Sequence, residues 1–211
     1  MNHFQIVPHF VNTREFSPEA KGFIKNGYYT NSPAGTYAYR EYWDEQTRRC
    51  LEGWTIGGVR ITGAHYFYLN FTQIKATVKQ GKLERKILTF PSFLDMDYYY
   101  FMECELARQN GQGVIVAKAR RKGFSYKNGA LCVYQYNFFR DSTSIIGAYL
   151  QAYSGATMSM AFEMLNFINK HTAWAKRRNP DRRDFVKARF KEVHEGQEIW
   201  NGYNSEIFTL T

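Results

Sequence analysis

Apolar positions from residue 91 onward recur with helical and strand spacing in alternation. Strands that alternate with helices favour a parallel α/β sheet, in which ligands bind at the carboxyl ends of the strands. Residues 201–204, Asn-Gly-Tyr-Asn, are predicted as a hairpin turn. The predicted helices span residues 95–109, 124–140 and 154–170, and the predicted strands span residues 114–117, 142–149, 185–193, 198–200 and 206–211.

Residues 1–90 carry a different pattern, broken by proline and by turn-forming clusters. One short helix is predicted, over residues 40–53, and Gly53 ends it. The remainder favours β-structure: a hairpin around Gly57-Gly58, an aromatic strand over residues 64–74 and a second hairpin around residues 80–82. We therefore expect a small β-rich N-terminal region, residues 1–90, followed by an α/β domain, residues 91–211.

The predicted strand at residues 114–117 runs into a basic loop that opens a helix, which is the arrangement of a P-loop. Within the motif G-x-x-x-x-G-K-[ST], only Gly123 and Ser125 keep their places. Lys118 occupies the position of the first Gly, and Phe124 occupies that of the Lys. No acidic residue lies between Gln112 and Arg140. The loop is thus suited to binding an anion, although its sequence departs from the motif.

Several polar residues of this loop are suited to binding a nucleoside triphosphate. Ser125 can offer its hydroxyl to Mg²⁺, and the flexible stem of Lys118 can reach the phosphates in place of the missing Lys. Arg120 or Arg121 can stabilise charge on the departing phosphoryl group. The alternative is a basic strand-to-helix turn that binds nucleic-acid phosphate or only decorates the surface.

Positive charge is concentrated further along the chain. The net charge is +9, and residues 170–191 hold nine Lys or Arg against two Asp, a net charge of +7. Such a segment fits a polyanion, most often nucleic acid, and Arg177, Arg178, Arg182 and Arg183 are its candidate contacts. A solvated charged face is the alternative. The 18% of aromatic residues either fills the core or stacks on bases or on a partner.

The remaining composition excludes several classes of protein. The three Cys share no C-x-x-C spacing and the five His are scattered, which argues against a disulfide framework and a zinc site. The N-terminus has no signal-peptide layout, and no apolar run approaches the roughly 18 residues of a membrane span. We expect a soluble intracellular protein.

The segment KARRKGFSYK, between VIVA and a helix, resembles the deviant Walker A motif of large terminase subunits, the motors that package tailed-phage DNA. Some members of that family place the Lys at the front and an aromatic residue before the Ser, as Lys118 and Phe124-Ser125 do here. The flanking segments LEGWTIGGVRITGAHYFYLNF, FPSFLDMDYYYF, TSIIGAY and GYNSEIFTLT are also similar to terminase segments, so that the resemblance covers residues 40–211.

The resemblance implies a partial P-loop (RecA/ASCE-like) parallel sheet flanked by helices, with ATP and Mg²⁺ as cofactors. Lys118 would bind phosphate, Arg120 would be the catalytic finger, Ser125 would contact Mg²⁺, and Gly123 would shape the loop. The rest of the binding loop would be Arg121, Lys122 and Phe124. Rings around residues 90–99 would lie near the adenine.

For the full-length protein, the resemblance implies an ATPase that drives double-stranded DNA into a prohead. Its partners would be a portal protein and a small terminase subunit, and it would work as a homo-oligomeric ring in the host cytoplasm without a membrane.

The chain departs from the family because no apolar strand ends in two acids, as a Walker B strand does, and no nuclease carboxylate cluster is present. We therefore expect the N-terminal portion of such a motor, which by itself hydrolyses little ATP. The alternative is a non-enzymatic nucleic-acid-binding phage protein that uses basic patches and aromatic stacking. A third, weaker interpretation is a phage structural protein that keeps an ATPase-like half-fold.

Overall fold

The computed structural model describes residues 16–80, 83–120, 122–178 and 182–211, which form two compact units. Unit 1 comprises residues 16–71 and 90–118, and unit 2 comprises the described parts of residues 72–89 and 119–211. The division of the chain into domains at residue 90 stays a prediction.

Unit 1 is mainly helical and is packed around aromatic side chains. Its helix α3 is buried at every position except Ala64, and the Asn70 side chain accepts hydrogen bonds from the amides of Glu19 and Ala20 at the start of α1. Helix α3 begins at Gly63, where only glycine fits, since an added Cβ would lie 1.9 Å from the Cys50 carbonyl oxygen. The elements are α1 (Pro18–Asn26), α2 (Tyr37–Glu52), β1 (Trp54–Ile56), β2 (Val59–Ile61), α3 (Gly63–Phe71) and α4 (Asp95–Gln109).

The prediction of a β-rich N-terminal region is wrong, since the described part of residues 1–90 holds three helices and two hairpins. The aromatic strand predicted at residues 64–74 is largely helix α3. A helix buried on all sides has no polar face, so its apolar run cannot be distinguished from that of a strand by periodicity. The helix at residues 40–53 and the hairpin at Gly57-Gly58 are confirmed, and both glycines have positive φ.

Unit 2 holds a separate hairpin and a three-stranded sheet with helices. Its elements are β3 (Ile74–Gln80), β4 (Leu83–Thr89), α5 (Phe124–Phe138), β5 (Thr143–Gly147), α6 (Gln151–His171), β6 (Phe185–His194) and β7 (Gln197–Leu210). The hairpin predicted around residues 80–82 is confirmed as β3–β4, although residues 81–82 lie outside the described residues.

The three-stranded sheet has the order β5–β7–β6, with β5 parallel to β7 and β6 antiparallel to β7. The mixed α/β class is therefore confirmed, and a sheet of the P-loop type stays a prediction. One face of the sheet is buried and carries Ser144, Ile146, Val186 and Ile207. Helices α5 and α6 both contact the sheet strands.

Helix α5 packs closely against helix α6. A Cβ on Gly129 would lie 3.6 Å from the Thr157 carbonyl oxygen and from the Ala161 amide nitrogen, so the two backbones approach closely. At the end of α5, the Phe138 ring lies 4.9 Å from the ring of Trp174, which follows the end of α6 by three residues, so α5 and α6 run in the same direction. Because α6 follows β5 after three residues, both helices begin at the carboxyl end of β5.

Two local predictions in the second half of the chain are wrong. Residues 112–119 form neither helix nor strand, and Ile115 is fully exposed, since no described strand pairs with this segment. A strand buried in a parallel sheet needs neighbours for both rows of its backbone groups.

The second wrong prediction is the turn at residues 201–204, because β7 continues through them and the chain reverses at Glu195-Gly196. At residue 202 the backbone instead has φ 126°, and a Cβ would lie 2.5 Å from the Ala188 carbonyl oxygen. The Asn-Gly pair therefore serves a close backbone approach beside an irregularity in the ladder between Lys187 and Arg189.

Among the described helices, none combines the length and the hydropathy that a membrane span requires.

Replacing Gly129 with Leu should lower the free energy of unfolding by about 1–3 kcal/mol, because the new side chain forces α5 and α6 apart. Gly155→Leu is the matched control, since its added Cβ meets nothing within 4 Å on the same helix pair. Both changes raise helix propensity equally, so their difference in urea denaturation isolates the helix–helix contact. Equal stabilities of the two variants would contradict the close packing.

Candidate phosphate loop and basic surface

Helix α5 begins with a glycine turn. Gly123 has φ 72° and is the N-cap, and its carbonyl oxygen accepts hydrogen bonds from the amides of Tyr126 at 3.1 Å and Lys127 at 3.2 Å. The first amides of a helix have no partner within the helix, and glycine has no side chain with which to cap them. The first turn of α5 also lacks an acidic residue. Its positive end is therefore suited to an anion.

The two residues after Gly123 point in different directions. Phe124 is buried, and the Lys127 ammonium nitrogen lies 4.3 Å from the centre of its ring, whereas Ser125 is exposed. The aromatic side chain in place of the usual Lys thus packs inward, so that only its backbone amide can face a ligand. Lys127 is itself buried and places a basic side chain near the start of α5, which the sequence motif did not indicate.

The rest of the predicted loop is accessible. The side chains of Lys118, Arg120 and Lys122 are exposed, and Arg121 lies outside the described residues. The hairpin β3–β4 is fixed beside α5, since the Lys75 amide donates to the Tyr126 hydroxyl at 3.2 Å and the Lys75 side chain pairs with Glu163 of α6.

The four candidate nucleic-acid residues differ in how firmly they are held. The Arg177 guanidinium lies 4.1 Å from the Phe190 ring centre and 2.7 Å from a Glu192 oxygen. Arg178 donates to Asn166 at 3.1 Å. Arg182 lies 3.8 Å from Asp184, and Arg183 is exposed. The first two are thereby held against neighbouring elements and the last two project outward.

A second group of cations surrounds two rings of β7: Lys176 and Arg189 belong to the basic segment at residues 170–191, and Arg140 follows the end of α5. The Lys176 nitrogen lies 4.1 Å and the Arg140 guanidinium carbon 5.5 Å from the ring centre of Tyr203, and the Arg189 guanidinium carbon lies 3.9 Å from that of Trp200. We call these five residues the ring–cation cluster. Burial lowers the pKa of Lys176, so an anion nearby would favour its charged form.

Part of this cluster borders an open cavity of about 310 Å³. The cavity lies where β7 approaches Ala188, and its lining carries two guanidinium groups and one indole beside amide side chains. The lining residues are Arg140, Arg189, Trp200, Asn201, Gly202 and Asn204.

No family model, curated protein or solved structure matches this chain.

A resident metal site of the usual kind is not found in the parts of the chain that the structure describes, where no group of three or more His, Cys, Asp or Glu side chains is placed to hold a metal ion. The Mg²⁺ role of Ser125 does not require such a group, because a phosphate-bound Mg²⁺ takes only one or two ligands from the protein and the rest from phosphate and water.

Gly123→Ala should lower the free energy of unfolding by about 1 kcal/mol, because φ 72° strains any residue with a Cβ while no atom lies within 4 Å to clash. Gly123→Asn should cost less, since Asn tolerates this conformation. Gly113→Ala is the control, as Gly113 also meets nothing within 4 Å and no positive φ is found there. Thermal unfolding distinguishes the cases, and equal stability of the two Ala variants would argue against the strained turn.

Proposed function

We propose that this chain carries the ATP-binding part of a DNA-packaging ATPase of the large-terminase type. The observation that supports it best is the start of α5. A left-handed glycine opens an acid-free helix terminus at the carboxyl end of β5, which is parallel to its neighbour β7. In α/β proteins this edge is where phosphate-bearing ligands bind.

In this proposal the residues keep the roles that the terminase resemblance implies. The amides of Phe124 and Ser125 and the positive end of α5 receive the triphosphate. Lys118, Arg121 and Lys122 neutralise phosphate charge, and Ser125 contacts Mg²⁺ through its hydroxyl. Arg120 stabilises charge on the transferred phosphoryl group. Exposure of Lys118, Arg120, Lys122 and Ser125 is compatible with these roles.

The wider setting is part of the same proposal. The complete motor contains a parallel P-loop sheet, acts on double-stranded DNA at a prohead portal in the host cytoplasm, and assembles as a ring with a portal protein and a small terminase subunit. Because this chain holds no apolar strand ending in two acids, nucleotide binding rather than turnover is the measurement suited to it.

Lys118→Ala should weaken binding of a fluorescent ATP analogue by about 10- to 150-fold in fluorescence titrations, because a charge-assisted contact with phosphate is worth about 1.5–3 kcal/mol. Ser125→Ala should weaken binding only when Mg²⁺ is present. Lys21→Ala, a change of an exposed Lys in α1, is the control and should leave the affinity unchanged. Unchanged affinity of the Lys118→Ala variant would remove Lys118 from the phosphate site.

A non-enzymatic nucleic-acid-binding role is the second candidate function. It is favoured by the exposed Arg182 and Arg183 and by Arg177, which Phe190 holds on the same unit. Contacts of this kind with phosphates are insensitive to base sequence and are weakened by salt.

Neutralising Arg177, Arg178, Arg182 and Arg183 together, each to Gln, should reduce duplex DNA affinity uniformly across sequences. The slope of log affinity against log salt should fall by about 0.9 for each phosphate that the variant no longer binds. Four exposed basic residues outside this segment, Lys21, Lys25, Arg40 and Lys86, provide a control of equal charge when changed to Gln. Fluorescence anisotropy measures both variants. A weakening confined to one sequence, or an equal weakening in the control, would count against backbone binding.

A further inference from the structure

The β6–β7 ribbon places positive charge and an accessible indole on the same cavity. In the ladder, Lys191 pairs with Trp200, and Arg189 lies two residues before Lys191, so these side chains share one face of the ribbon. Both cations approach the indole, at 3.9 Å for Arg189 and 5.1 Å for Lys191, yet Trp200 remains 42% exposed. The ring therefore has surface left for a further flat partner.

The backbone irregularity between Lys187 and Arg189 shapes this place. It coincides with Gly202, whose missing Cβ lets β7 approach the Ala188 carbonyl. Bulges bend a strand and change the direction of a side chain, and they are frequent next to binding sites. Here the irregularity immediately precedes Arg189, and Gly202 itself lines the cavity. The cavity is thus formed by the backbone of the ribbon and not only by long side chains.

The polar groups around the cavity indicate an acceptor-rich ligand. The Arg189 Nε is buried without a hydrogen-bond partner among the described residues. Two amide side chains of the lining already bind carboxylates outside it: Asn204 donates to Asp141 and Asn201 donates to Glu192, each at 2.7 Å, and Glu192 lies on the face of the ribbon opposite Arg189. Arg140 and Arg189 line the cavity and no carboxylate is among its lining residues, so the positive charge there is suited to a ligand that supplies acceptors.

We propose that this cavity of the ring–cation cluster binds an unpaired nucleotide of a single-stranded nucleic acid. The base stacks on Trp200, and the adjoining phosphates contact Arg140, Arg189 and Lys176. A base within a duplex is already stacked on both faces and offers no free face to the indole, whereas an unpaired base stacks on an aromatic ring irrespective of its sequence. The cavity of about 310 Å³ has the size of a single nucleotide rather than of a duplex groove.

This site extends the nucleic-acid binding proposed above from duplex backbone to unpaired strand, and it does not involve the nucleotide loop. Within the nucleic-acid surface, Arg177 stacks on Phe190, whose side chain lies on the opposite face of the ribbon from Arg189. The two contacts are therefore separable by substitution.

The test uses a 12-nucleotide fluorescein-labelled single strand, its duplex, and the same strand with abasic sites, measured by anisotropy at one salt concentration. The strand with bases should bind at least threefold more tightly than the duplex. Trp200→Leu should weaken binding of that strand about tenfold, as expected when one stacked base is removed from its ring. The same change should weaken binding of the abasic strand less than twofold.

Adding the single strand should quench tryptophan fluorescence in the parent chain but not in Trp200→Phe, because Trp43 and Trp174 are buried and Trp54 is half-buried.

The controls separate this proposal from the others. Arg183→Gln should lower the affinity for both single strands and for the duplex without changing the quenching, and Lys21→Ala, a change of an exposed Lys in α1, should change neither. Circular dichroism checks that Trp200→Phe and Trp200→Leu are folded. Equal weakening of the base-bearing and abasic strands by Trp200→Leu would overturn the proposal, because Trp200 would then only support Arg189. Tighter binding of the duplex, or quenching that persists in Trp200→Phe, would overturn it as well.

Discussion

The close approach of α5 to α6 at Gly129 is the contact on which the candidate loop depends. Since a residue without a side chain lies against the Thr157–Ala161 backbone, the two helices pack side by side over one face of the sheet. Their parallel course brings both N-termini to the carboxyl end of β5. Neither first turn contains an acidic residue. Both helix N-termini therefore lie at one edge of the sheet in unit 2, and in the proposed function the positive end of α5 is the part of that edge that would receive a triphosphate.

The aromatic residue in the loop motif has a structural reason in this arrangement. A Lys at position 124 would project into the place where Phe124 is now buried, beside the ammonium group of Lys127. Two neighbouring ammonium groups repel each other, and their burial adds a desolvation penalty. Phe124 instead offers the face of its ring to the cation. In the proposed nucleotide site, the charge that the usual motif places after the glycine would come from the exposed loop before it, where Lys118, Arg120 and Lys122 lie.

The elements with a clear polar face or a defined turn could be predicted from the sequence. Helices α2, α4 and α6, strand β5 and the hairpin at Gly57-Gly58 are examples. The failures have three physical causes. In α3 the surroundings bury every side, so the periodic signal is lost, and at residues 112–119 an apolar run has no described strand to pair with. The Asn201-Gly202 pair shows a third difficulty, because a glycine signal does not state whether the chain turns or merely approaches another backbone.

For the candidate sites, the sequence indicated which residues are basic but not which charges are already compensated. Of the nine cations in residues 170–191, at least four form ion pairs, and three of these use Glu192, Glu198 and Glu206, which lie beyond that segment. The local charge is therefore smaller than the count of +7 suggests.

In the folded chain Arg140, which follows the end of α5, joins Lys176 and Arg189 around rings of β7. Strand pairing thus creates a surface whose members lie up to 63 positions apart, from Arg140 to Tyr203, and no window of the sequence contains it. The decisive property is the pairing of each cation with a ring rather than with a carboxylate, since a ring keeps the cation positioned while leaving its charge available to a phosphate.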